Sequence, residues 1–244
     1  MTTDLSILAG TAAIIGFVHT LTGPDHYLPF IVMGKARNWT GIKTLWITFL
    51  CGMGHVGSSV IIGILGIALG IGISKIGAFE SFRGNIAAWA FIIFGFGYFL
   101  WGLWKAFKEK PHRHFHIHSV HSGHNEQVHM HEHHHSSLEN HRHNHKGTKT
   151  VNLTPWVLFT IFVLGPCEPL IPLLMYPAAE SHAGAVIIVT LVFALCTIAT
   201  MMAVVYLTMR GINFIPVRSF EKYMHAIAGG TICLSGLAIV FLGL

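Results

Sequence analysis

The sequence predicts an all-α polytopic membrane protein: six transmembrane helices in two inverted three-helix repeats, with the first and fourth helices broken. Three observations predict it. Of 244 residues, 52% are hydrophobic and only 10% charged, whereas a soluble domain is about a quarter charged. The apolar residues gather in long runs, and mean hydropathy is positive at +0.60. A short Gly-Pro motif in the first run recurs in the fourth.

A bilayer crossing needs about 20 apolar residues, which divides the chain into spans near Leu5–Met33, Thr44–Ser74, Ile86–Phe107, Leu153–Ala179, Ala183–Met209 and Tyr223–Leu244. The first residues lack the basic stretch of a cleavable signal. The first run is interrupted by His19-Thr-Leu-Thr-Gly-Pro-Asp-His26. Pro24 has no N–H and clashes with the preceding turn, so the helix breaks there. Such a break survives at membrane depth only where it faces protein or a water-filled cavity. Ionisable groups at that depth are costly and read as functional. The second span is glycine-rich, and Gly66-x-x-x-Gly70 permits close helix packing. It also carries His55 between Gly54 and Gly57.

After the third span comes a segment of different character. Residues 112–145 hold fourteen histidines, namely His112, His114, His116, His118, His121, His124, His129, His131, His133, His134, His135, His141, His143 and His145. With almost nothing to build a core, this segment is expected to be disordered, and His-rich tracts of this kind bind metal. The expected organisation is therefore residues 1–107 as one repeat, 108–150 as the His-rich loop and 151–244 as the second repeat.

In the fourth span, Gly165-Pro-Cys-Glu-Pro-Leu-Ile-Pro-Leu-Leu-Met175 aligns without gaps on Gly23-Pro-Asp-His-Tyr-Leu-Pro-Phe-Ile-Val-Met33. Gly95, Gly102 and Leu103 of the third span likewise match Gly236, Gly243 and Leu244 of the sixth. Three spans per repeat is an odd number, so the halves are expected to be inverted. Inverted repeats broken at matching points indicate a transport site near the membrane midplane.

Orientation follows from Lys and Arg. Thirteen lie after the first, third and fifth spans, against only Lys75 and Arg83 on the other side. The larger set is cytoplasmic by the positive-inside rule. The His-rich loop is then cytoplasmic and both termini are outside. Trp39, Trp46, Trp104 and Trp156 fall near the cytoplasmic face, as an aromatic belt would. The pI near 9.1 reflects this topology and gives no indication of nucleic acid. No Walker-type loop is present, so ATP hydrolysis within this chain is excluded.

Imidazole suits nickel, cobalt, zinc and copper. His19 and His26 are seven residues apart, about two helical turns, and so start on one side of the helix. The candidate metal ligands are His19, Asp25, His26 and His55, with Cys167 and Glu168 from the second half. Asp25 and Glu168 read as the only carboxylates within the spans. Cys51, Cys196 and Cys233 read as small packing residues, and His182 and His225 as interfacial ones.

His-x5-Asp-His in the first span, Gly54-His55 in the second and the His-rich loop resemble the NicO family of nickel/cobalt transporters, the Gly-Pro-Asp-His form being closest to its urease-accessory branch. The resemblance implies a six-span secondary transporter of Ni²⁺ or Co²⁺ in the bacterial inner membrane, with Zn²⁺ a further candidate and no organic cofactor. It implies that His19, Asp25, His26 and His55 bind the cation. Related nickel permeases carry His-x4-Asp-His, one residue shorter.

Two alternatives stand beside this reading. The Gly165-Pro-Cys-Glu-Pro stretch is similar to membrane thiol-disulfide carriers, but Asp25 stands where the partner cysteine would be. An exporter of sulfite or another small anion would meet repulsion from Asp25 and Glu168, with no Lys or Arg expected within a span. Deleting residues 112–145 is expected to weaken metal capture yet leave a transporting core, measured as metal flux per inserted protein.

Overall fold

The computed structural model describes residues 2–108, 114–120, 127–133, 153–179, 183–212 and 222–242. The chain forms two units, residues 1–103 with 152–244, and residues 104–151.

In the helical unit, α1 (Thr2–Thr22) ends at Gly23 and is followed by one 3₁₀ turn, Pro24–His26, and then α2 (Leu28–Ala36). The amide of Gly23 still donates to His19 O at 3.1 Å, whereas Pro24 has nothing to donate. Pro29 lies in the first turn of α2, where no N–H is needed. Next come α3 (Gly41–Ala68) and α4 (Ile73–Lys108). Thr40 caps α3, its hydroxyl accepting from the Lys43 amide at 3.3 Å.

The second half repeats this order. Helix α5 (Thr154–Leu164) stops at Gly165-Pro166, α6 (Leu170–Ala179) resumes, and α7 (Ala183–Ile212) and α8 (Met224–Leu242) follow. Both expected breaks therefore form at the matched Gly-Pro pairs. Among the described residues, five helices are long and apolar enough to cross a membrane (Leu5–Thr22, Gly41–Ala68, Ile73–Lys108, Ala183–Gly211 and Met224–Leu242), while α5 is a shorter apolar helix.

Each half packs across the other. Helix α1 lies on α7 and α5 on α3, while α2 packs against α8. Phe30 of α2 and Phe162 of α5 meet with ring centroids 4.7 Å apart, and Phe91 of α4 approaches Phe162 at 5.9 Å. Around them Met33, Leu158, Met201, Val205 and Ile232 complete a core that is fully buried.

Several expectations need correction. The helix expected from Ile86 begins at Ile73, and it carries Glu80 and Arg83, which pair with each other and are buried. A carboxylate and a guanidinium therefore do lie within a span. Trp39 is buried in the core and is not part of a belt, although Trp46 and Trp156 are exposed. Gly66 packs on the Ile76 side chain, but Gly70 serves as a helix stop. Its φ is +64°, and Ile71 N donates to Gly66 O at 2.8 Å and Gly70 N to Ile67 O at 3.1 Å. This is the hydrogen-bond pattern by which a left-handed residue closes a helix.

The unit spanning residues 104–151 holds the end of α4 and two strands, β1 (His114–Val120) and β2 (Gln127–His133), paired antiparallel. The expectation of disorder does not extend to these stretches. Their period-two alternation, Phe115 and Ile117 in β1 and Met130 in β2 standing between histidines, suits a strand. The register sets His114 opposite His133, His116 opposite His131, and His118 opposite His129. His112, His121, His124, His134, His135, His141, His143 and His145 lie outside the described residues, as does His182.

Glycines set the contact of α4 with α8. A Cβ on Gly95 would lie 2.8 Å from Cys233 Cα, and one on Gly236 2.8 Å from Ala88 O. A Cβ on Gly229 would lie 2.7 Å from both Gly95 O and Phe99 Cα. Gly243 and Leu244 lie outside the described residues. Gly229→Ala is expected to cost about 1–3 kcal/mol through overpacking, read as a lower thermal-unfolding midpoint in detergent. Gly97→Ala, where nothing lies within 4 Å, is expected not to lower it.

Candidate metal centre

The first break builds the site. His26 folds back over Gly23, where a Cβ would stand 2.5 Å from the His26 Nδ1 and 2.9 Å from Asp25 Oδ1. Only glycine fits beneath that ring. The His26 amide donates to Gly23 O at 3.1 Å, which tightens the turn, and Tyr27 OH donates to Leu21 O at 3.3 Å, which ties it to α1.

The turn delivers His26 beside His19 of α1, at 4.7 Å between ring centroids, and His55 of α3, at 5.0 Å. His26 and His55 are each 3% exposed. One ligand atom from each of the three rings lies within 4.8 Å of the other two. This is the one such group of three or more among the described residues. The Nε2 atoms of all three histidines are buried and have no hydrogen-bond partner.

Buried polar atoms are almost always satisfied, so three converging orphan nitrogens call for a common partner. The partner that fits is a cation with affinity for imidazole. An equilateral set at the 4.8 Å limit would centre about 2.8 Å from each nitrogen, against ~2.0–2.1 Å for a zinc–imidazole bond. Small ring rotations would close the difference.

Asp25 takes a different place from the one expected. It is absent from the three-ring group, and its Oδ1 lies 3.2 Å from His26 Nδ1. Gly23 O lies 3.1 Å from the same nitrogen. Two acceptors on Nδ1 make it the donor, which leaves the Nε2 lone pair facing the group. A carboxylate behind a ligating histidine fixes tautomer and ring orientation in just this way. Asp25 thus orients His26, a role that the spacing alone does not distinguish from ligation.

Cys167 and Glu168 are also outside the three-ring group. Cys167 is buried, and its amide donates to Ser59 Oγ at 3.1 Å. Glu168 is exposed and lines a cavity of about 280 Å³ with Glu80, Ser81 and Ile171. Cys51, Cys167, Cys196 and Cys233 are all free thiols. His225 on α8 hydrogen-bonds the Tyr98 hydroxyl through Nδ1 at 2.8 Å.

The residues that the sequence reading missed are Glu80 and Arg83. Glu80 is 1% and Arg83 7% exposed. Opposite charges three apart within an otherwise apolar run were the available signal, since a neutralised pair can enter a span where a lone charge cannot. Arg83 removes one argument against anion transport. Its charge is nevertheless matched by Glu80, and its Nη2 is engaged by Ser58 Oγ, Val163 O and Gly165 O.

Comparison with family models, curated proteins and solved structures finds no match.

Asp25→Asn is expected to weaken Co²⁺ binding at the three histidines about 10–100-fold, the usual cost of losing a carboxylate behind a metal-bound histidine. The measurement is a Co²⁺ titration of purified protein by visible absorption, with His26→Ala as the baseline for the His-rich segment.

Proposed function

We propose that this chain is a secondary transporter that moves a divalent transition-metal cation, Ni²⁺ or Co²⁺, across the bacterial inner membrane. The observation that carries the reading is the clustering of three histidines, each with a buried, unpartnered Nε2, at a break in an apolar helix. A resident structural metal would need a closed four-ligand shell. Three imidazoles with Asp25 behind one of them leave further coordination positions for water or backbone oxygen. Such a site binds a cargo that must also leave.

Six spans in two inverted halves complete the proposal, with α5 and α6 together forming the sixth. The packing supports it. Exchanging the halves carries the α1–α7 contact onto α5–α3, and the α2–α3 contact onto α6–α7. Each broken segment thus lies against long helices of both halves, the arrangement in which rocking one half against the other exposes a central site alternately. The resemblance to the NicO family points the same way. The His-rich segment, on the cytoplasmic side by the distribution of Lys and Arg, would bind metal on that side of the membrane.

Driving force would come from membrane potential or proton exchange. Histidine ligands must be neutral to bind a metal, so protons compete with cargo. Lower pH is therefore expected to raise the concentration of Co²⁺ needed for half-maximal flux.

The test is flux of Ni²⁺, Co²⁺ and Zn²⁺ into proteoliposomes holding the full chain, with and without a pH gradient. Metal flux that disappears in His26→Ala is the expected result. Sulfite flux without metal flux in folded wild-type protein would overturn the proposal in favour of the anion reading.

A further inference from the structure

The second break, at Gly165-Pro166, carries no histidine, yet a buried ion pair ties it to the helix that carries His55. Val163 O and Gly165 O, at and beyond the end of α5, each accept a hydrogen bond from Arg83 Nη2, at 2.9 and 3.1 Å. On the far side of Pro166, the Cys167 amide donates to Ser59 Oγ, whose hydroxyl donates in turn to Glu80 Oε2 at 3.0 Å. Arg83 Nη1 donates to Glu80 Oε1. One ion pair on α4 therefore holds the backbone on both sides of the break.

The same pair reaches the metal centre. Ser58 Oγ lies 2.8 Å from the same Arg83 Nη2, so three oxygens share its two hydrogens, and Ser58 donates to the carbonyl of His55 at 2.9 Å. Gly165, which Arg83 holds, lies against the His55 ring, where a Cβ would be 3.3 Å from Nδ1. Gly84, next to Arg83, seats Pro166 so closely that a Cβ there would stand 2.8 Å from the proline Cγ. His55 is thus bounded by its own helix and by a wall that the ion pair fixes.

We propose that Glu80 and Arg83 are positioning residues for cargo binding. They hold the Gly165-Pro166 break as the wall behind His55 and so set that ring's place among the three histidines. The proposal rests on the reading of the three histidines as the cargo site. Arg83 makes four contacts from a planar fork, so a lysine at this position would keep the charge and lose the geometry. Ser58 and Ser59 carry no charge, and their removal cuts the link while leaving the ion pair intact.

The experiment is steady-state Co²⁺ uptake by proteoliposomes of the full chain, normalised to inserted protein. It compares wild type with Arg83→Lys, Ser58→Ala, Ser59→Ala and His26→Ala. Arg83→Lys and Ser59→Ala are expected to raise KM for Co²⁺ five- to tenfold and change the maximal rate less than twofold. A purely structural role would lower the amount of inserted protein or the maximal rate and leave KM where it was, which would overturn the proposal. Should Arg83→Lys fail to insert, the two serine variants decide, and unchanged KM in both would overturn it. Wild-type flux in His26→Ala would sink the cargo-site reading itself, and the positioning role with it.

Discussion

A helix cannot break inside a membrane unless the backbone groups freed by the break find partners, and this constraint shapes the molecule. Two Gly-Pro pairs break two apolar segments at matching points. The first is satisfied locally. Its carbonyls and amides are taken up within the turn by Gly23, His26 and Tyr27. The second is satisfied from a distance, by Arg83, Glu80 and Ser59 on neighbouring helices. Two breaks alike in sequence are thus held in different ways.

The metal centre follows from that difference. Because the first turn closes on itself, the His26 ring is folded over Gly23 and carried toward His19 and His55. Because the second break is clamped from outside, its glycine can stand beside His55 without a side chain in between. The aromatic contact of Phe30 with Phe162 then joins the pieces that follow the first break and precede the second. Helix packing and site geometry are one arrangement, so a change at either break is felt at the three rings.

Much of this was legible in the sequence. The broken helices could be read from Gly23-Pro24 and Gly165-Pro166, since proline's missing donor acts locally. His19, His26 and His55 stood out because imidazoles are rare in apolar runs. What could not be read were relations across space. Asp25 looks like a ligand by spacing, but the turn points it at His26 Nδ1. Cys167 and Glu168 match Asp25 and His26 by position, yet neither belongs to the three-ring group. Glu80 and Arg83 each look like a flanking charge on their own, whereas the pair is buried together. The alternation of histidines in residues 114–120 and 127–133 was present in the sequence but was passed over in favour of composition.

The most direct test of the central claim is anomalous diffraction at the cobalt absorption edge from crystals of the full chain grown with Co²⁺. The account predicts a peak bounded by the Nε2 atoms of His19, His26 and His55, about 2.0–2.1 Å from each, the range for an imidazole-bound zinc-like divalent metal. Anomalous peaks confined to the His-rich segment, with none among these three rings, would contradict it.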